Sequence, residues 1–130
     1  MDWTENVTGI QHIGIPTNDI EKTIAFYHSL GFETALRTVN EAAGEQVCFL
    51  RLKNLCIETY QNDCAAGKPG AIDHVALDVG DVENAFSKAV QAGYTMLDKE
   101  VQFLPFWEKG VRFFTILGPN GEKVEFSQML

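Results

Sequence analysis

At 130 residues the chain is long enough for one domain with a real core, and 45% apolar with 22% charged residues is a globular composition, not a disordered one. A net charge of −8 excludes nucleic acid or an anionic membrane surface as the main partner, because both require basic patches. The N-terminus MDWTENVTGI lacks a basic stretch followed by an apolar one, and no apolar run approaches the roughly 20 residues of a spanning helix, so a cytoplasmic protein is expected.

Taken in chain order, the first pattern is a short strand at about residues 8–15 with His12 in it. A helix follows. Asn18 or Asp19 can cap it, Asn18 with Glu21 has capping-box spacing, and Ile20, Ile24 and Leu30 supply an apolar stripe. Gly31 stands where a C-terminal glycine stops a helix. His28 on this helix reads as solvent-exposed. Three segments rich in β-branched and aromatic residues come next, at roughly 33–39, 46–52 and 55–61. NEAAGE (40–45) and Lys53-Asn54 are the turns between them. AAGKPG (65–70) reads as a link.

The pattern then repeats. IQHIGIPTNDIEKTIAFYHSLGF (10–32) aligns without a gap on IDHVALDVGDVENAFSKAVQAGY (72–94) at a constant offset of 62, so that His12 pairs with His74, Asp19 with Asp81, and Gly31 with Gly93. The second copy gives a strand at 72–79 and a helix capped by Asp81 with Val82, Phe86 and Val90 as its stripe. Strands at 94–98, 111–117 and 122–128 follow, the last two joined by the turn Pro119-Asn120-Gly121. Residues 99–110 form a long aromatic-rich loop without a counterpart in the first copy. The expected fold class is α+β, two tandem βαβββ modules forming a curved mixed sheet cup. The whole chain, 1–130, is read as one domain made of modules 8–64 and 71–130. Three cysteines (Cys48, Cys56, Cys64) without CxxC spacing read as free thiols.

A second equivalence closes each copy. LCIETYQ (55–61) and KVEFSQ (123–128) place Glu58 and Glu125 at an offset of 67, the extra residues belonging to the long loop. A lone histidine or glutamate on a strand is ordinarily a core or surface residue. Four donors at equivalent places of a repeat are a different matter. Two imidazoles and two carboxylates neutralise a divalent charge and suit one Zn, Ni, Co, Mn or Fe ion with open positions for water or substrate. His12, Glu58, His74 and Glu125 are therefore the expected metal ligands.

HIGIPTNDIEKTIAFYHSLGF, IDHVALDV and GPNGEKVEF together resemble the vicinal oxygen chelate superfamily. That group contains glyoxalase I, methylmalonyl-CoA epimerase, fosfomycin-resistance enzymes, extradiol dioxygenases and bleomycin-binding proteins. The His, Glu, His, Glu set resembles bacterial glyoxalase I most closely. The resemblance implies a metal-dependent lyase or isomerase, of the lactoylglutathione lyase type. It would act by proton transfer through a metal-bound enediolate on a 2-oxoaldehyde–thiol hemithioacetal or similar vicinal-oxygen substrate. Glu125 and Glu58 are then the catalytic carboxylates, and Lys109, Arg112 and Trp107 the substrate-binding candidates. Where bacterial glyoxalase I carries an arginine after the first histidine, this chain has Ile15-Pro16. A thiol other than glutathione is compatible with that difference. The resemblance also implies a homodimer with a small-molecule substrate. The alternatives are a fosfomycin-type epoxide-opening resistance enzyme and a metal-free drug-binding module.

Overall fold

The computed structural model describes residues 2–130. The chain divides into two compact units, Met1–Ala65 and Ala66–Leu130, so the break falls inside the expected Gly/Pro link. Each unit is a mixed sheet carrying one helix, and each contains the βαβββ order read from the repeat. No helix among the described residues is long and apolar enough to cross a membrane.

The first unit opens with a one-turn helix that the sequence reading did not anticipate, α1 (Trp3–Asn6), held by a reciprocal capping box between Asp2 and Glu5. Next come β1 (Ile13–Thr17), α2 (Ile20–Ser29), β2 (Glu33–Asn40), β3 (Glu45–Leu52) and β4 (Leu55–Gln61). The sheet order is β1-β4-β3-β2, with β1 parallel to β4 and the other pairs antiparallel. Asp19, not Asn18, is the N-cap: its carboxylate accepts from the Lys22 amide at 3.0 Å. Ile20, Thr23, Ile24 and Tyr27 form the buried stripe, and Ile20, Ile24 and Tyr27 pack on Cys48, Leu50 and Ile57 of the sheet. Leu30 is only partly buried beside them. The helix ends at Gly31, whose φ of +97° lies in the region open to glycine.

The second unit contains β5 (His74–Asp78), α3 (Val82–Gln91), β6 (Thr95–Met96), β7 (Gln102–Leu104), β8 (Val111–Leu117) and β9 (Lys123–Met129). Its order is β5-β9-β8-β6, with β7 also on β8 and β5 parallel to β9. Asp81 caps α3 through the Asn84 amide at 3.0 Å, as Asp19 caps α2. Val82 and Ala89 are buried and Phe86 packs edge-on against Phe114, but Val90 is exposed, so the expected stripe is rotated towards Ala89. The ring of Phe114 stacks in turn on Phe126, with centroids 4.9 Å apart.

Several boundaries differ from expectation for identifiable reasons. The strand expected over 94–98 is cut to two residues because Asp98 accepts the Thr115 amide through its side chain at 2.8 Å, taking a donor the ladder would otherwise use. Part of the expected loop 99–110 is strand, since Gln102–Leu104 pairs with β8. The turn glycine Gly121 is required by close approach: a Cβ there would lie 2.2 Å from the Gly67 backbone.

One device recurs in both units and was not read from the sequence. The last glutamine of each closing strand, Gln61 and Gln128, accepts the first amide of its unit's helix, Ile20 and Val82, each at 2.9 Å. An otherwise orphan helix donor is thereby satisfied, and strand end and helix start are tied together.

Inside the first unit Cys48 is fully buried, and burial pushes its thiol pKa up, so it remains a protonated packing group. Cys56 is half-buried and Cys64 exposed; all three are free. Thr59 is also fully buried, and its hydroxyl finds no partner among the described residues. An unpaired buried hydroxyl costs free energy that a methyl does not. Thr59→Val is therefore expected to raise stability by about 1 kcal/mol in a urea titration. A loss of that size would mean that the hydroxyl is in fact satisfied.

Candidate metal centre

Strand alternation decides which side chains share a face with each glutamate. In the first unit Gly14 lies opposite Glu58 in the β1–β4 ladder, and His12 is two residues ahead of Gly14, so His12 and Glu58 emerge on the same side. The second unit repeats this: Ala76 is opposite Glu125, and His74 is two residues ahead of Ala76. The residue facing each glutamate is thus small in both copies, leaving the diagonal open for the histidine. His12 Nε2 stands 3.8 Å from Glu58 Oε1, and His74 Nε2 stands 3.8 Å from Glu125 Oε2. Each unit thus brings together one histidine and one glutamate of the expected four.

At 3.8 Å neither pair is hydrogen-bonded, so the facing lone pairs are uncommitted. Donors bound to a common ion with bonds near 2.0–2.2 Å stand roughly 3–3.4 Å apart, so each pair need close by only about half an ångström. The other ring nitrogen is already held. His12 Nδ1 meets Gln11 Oε1 at 2.9 Å and His74 Nδ1 meets Asp73 Oδ2 at 2.9 Å. With Nδ1 donating, Nε2 carries the free lone pair, the arrangement that orients a ligating imidazole. The His74 ring, and after it the Lys123 ammonium at 3.2 Å, hold the Asp73 carboxyl below the usual carboxylate range. Among the described residues no group of three or more His, Cys, Asp or Glu side chains is gathered as a metal site; the donors stand as two pairs, one per unit.

The surroundings of the two pairs differ. Phe49 faces Glu58 from β3 and meets the His12 ring edge-on at 5.5 Å. Thr115 takes that place opposite Glu125. Side-chain exposure falls from 28% at Glu58 to 19% at Glu125, which makes the second carboxylate the drier of the two.

The expected substrate-binding residues do not join the pair. Arg112 alternates with Glu125's partner Thr115 and projects to the helix side of the sheet, where it is ion-paired with Glu83 of α3. Arg37 of β2 makes the equivalent bond to Glu21 of α2 in the first unit, and that bond holds the Glu21 carboxyl below its ordinary range. Arg112 thus ties strand to helix on the face of the sheet opposite Glu125. Lys109 and Trp107 lie in the exposed turn between β7 and β8, with Trp107 at φ +61° and 76% exposed. The register puts that turn beyond Met129, four residues along β9 from Glu125, or roughly 13 Å at strand spacing. His28 is exposed as expected, within 2.9 Å of Thr34 Oγ1.

Sequence reasoning missed Gln11, Asp73 and Lys123. The signal was present: each ligand-type histidine is directly preceded by a side chain with a carbonyl-type oxygen.

Comparisons with known proteins point one way. The family model described as Glyoxalase/Bleomycin resistance protein/Dioxygenase superfamily matches residues 9–126. "Uncharacterized protein YwbC" of Bacillus subtilis (strain 168) is 31% identical over 126 residues, covering 92% of this chain and 96% of that protein. Among solved structures, the glyoxalase family protein from Enterococcus faecalis superposes with a TM-score of 0.78 at 20% identity, covering 92% of this chain and 97% of that one. The fosfomycin resistance protein FosX from Listeria monocytogenes, solved with Mn(II) and sulfate, superposes with a TM-score of 0.74 at 16% identity, covering 95% and 94%.

Proposed function

The chain belongs to the glyoxalase/bleomycin resistance protein/dioxygenase superfamily, and from that premise we propose that it is a metal-dependent lyase or isomerase of the glyoxalase kind. Its substrate class is a small molecule with two adjacent oxygens, such as the hemithioacetal of a 2-oxoaldehyde and a thiol. The observation that carries this reading is the duplicated His–Glu pair, built at the same register and the same 3.8 Å separation in both units.

His12 and His74 through Nε2, with Glu58 and Glu125 through their carboxylates, are the residues that would hold one divalent ion. The two pairs would come from one chain or from the two copies of a homodimer. An ion held there polarises a carbonyl and stabilises the negative charge that develops as the neighbouring proton leaves. The carboxylates supply the proton traffic. Glu125, the less exposed, takes the proton from carbon, and Glu125 or Glu58 returns one to the adjacent carbon. Their place on strands, and not on loops, keeps both oxygens at fixed height above the sheet. Phe49 and Tyr60 flank Glu58 on its own face. Ile15-Pro16, in place of an arginine, favours a thiol without a glutathione-type carboxylate to anchor.

A test combines metal analysis of the purified protein with a screen of methylglyoxal plus several thiols. Bound ion, a rise in thermal stability on adding Ni²⁺, Zn²⁺, Co²⁺ or Mn²⁺, and thiol-dependent loss of methylglyoxal are the expected results. The likeness to FosX supports a second reading, opening of an epoxide such as fosfomycin. Resistance conferred on a sensitive bacterium, without methylglyoxal turnover, would select it. A protein that takes up no ion and gains no stability from any of the four would be a binding module instead.

A further inference from the structure

The two His–Glu pairs match in geometry but not in what stands behind each imidazole, and the difference is chemical. Gln11 presents an amide to His12 Nδ1 at 2.9 Å. An amide has an oxygen that accepts and a nitrogen that donates, so by turning over it serves either tautomer of the ring. Asp73 presents a carboxylate to His74 Nδ1 at 2.9 Å. An ionised carboxylate only accepts, so the neutral ring beside it must carry its proton on Nδ1. Nε2, the atom that faces Glu125, is left with its lone pair.

Asp73 is itself held. The Lys123 ammonium lies 3.2 and 3.4 Å from its two oxygens. Lys123 is also the cross-strand partner of His74 in the β5–β9 ladder. The ladder that sets the height of His74 therefore also sets the carboxylate that selects its tautomer. Among the described residues nothing equivalent anchors Gln11, whose partner is the neighbouring ring.

We infer that Asp73 is a positioning residue that presets His74 for metal binding, whereas Gln11 leaves the His12 ring free to take either tautomer. A carboxylate behind an imidazole also makes the ring a stronger donor than an amide does. Gln11 Oε1 faces His12 Nδ1 in the same way, but an amide that can turn over does not enforce that tautomer as a carboxylate does. This assignment rests on His74 being a ligand.

The experiment uses the full-length protein, ¹⁵N-labelled and metal-free, at a pH where its rings are neutral. Long-range proton–nitrogen correlations of the rings report which nitrogen bears the proton. His74 is expected in the Nδ1–H form in the wild type, and as a mixture or the Nε2–H form in Asp73→Ala. Titration with Zn²⁺ alone is expected to show a loss of about 10–100-fold in affinity for Asp73→Ala. Asp73→Asn, which restores an accepting oxygen, should recover part of it, and Gln11→Ala should lose less than Asp73→Ala. His74 found in the Nε2–H form in the wild type, or Asp73→Ala binding Zn²⁺ as well as the wild type, overturns the assignment. Should Asp73→Ala fail to fold, the wild-type tautomer and the Asp73→Asn titration still decide. A wild type that binds no Zn²⁺ removes the metal reading of the whole centre along with this one, whereas a wild type that binds Zn²⁺ with indifferent Asp73 variants removes this one alone.

Discussion

Glu125→Gln is expected to lower kcat by about 10²–10⁴, the range that a positioned general base contributes. Glutamine keeps the shape of the side chain and one oxygen, and it lies on the same face of β9 opposite Thr115. Neither the ladder nor the Phe114–Phe126 stack behind it should change. What disappears is the ability to take a proton, together with one negative charge. Metal content and kcat must therefore be measured on the same sample, with the substrate that the thiol screen identifies. A variant that retains the ion and loses turnover assigns the proton transfer to Glu125. Near-normal kcat in a metal-loaded variant would falsify that role and leave Glu58 as the base. Glu58→Gln, examined in parallel, separates a single base from a shared one.

Phe114→Ala should be the most damaging of the simple truncations in the second unit. The ring is fully buried, stacked on Phe126 at 4.9 Å and met edge-on by Phe86 at 5.2 Å. It joins the sheet to α3. A loss of about 3–5 kcal/mol is expected from the missing transfer energy and the cavity left between helix and strand. Because a domain of this size has only about 5–15 kcal/mol in hand, the denaturant midpoint should fall steeply. A loss below about 1 kcal/mol would mean that the neighbouring rings collapse into the space. The first unit distributes its aromatic mass differently: Phe26, Tyr27 and Phe32 meet edge-on along and just past α2, while the strand positions are Cys48, Leu50 and Ile57. The two copies have kept the frame and exchanged which layer supplies the bulk.

That exchange explains what was legible in the sequence. Caps, stop glycines and the His and Glu positions depend on backbone conformation and on function, so they recur at fixed offsets and align. Core identities depend on whatever fills the space, and they drift. Val90 shows the consequence, since helical spacing alone placed it in a stripe that in fact turns towards Ala89. Arg112 shows another. Its parity along β8 is that of the buried Phe114 and Ile116, which puts its side chain on the helix side of the sheet. The short β6 was illegible for a different reason. A side chain, Asp98, took over a backbone partner, and no periodicity announces that. The closing glutamines Gln61 and Gln128 were visible in LCIETYQ and KVEFSQ, but their long-range bonds to the helix starts required the fold.

The parallel pairing of β1 with β4, and of β5 with β9, has a consequence for how the chain matures. Each histidine leaves the ribosome at the beginning of its unit, and its glutamate leaves only with that unit's last strand. A nascent chain therefore exposes single imidazoles, which are weak, unselective ligands, until a whole unit has been made. Among the described residues β5 pairs only with β9, so a product truncated before Lys123–Met129 would lose both a strand's support and Glu125 at one stroke. Neither His–Glu pair exists until the closing strand of its unit has been made.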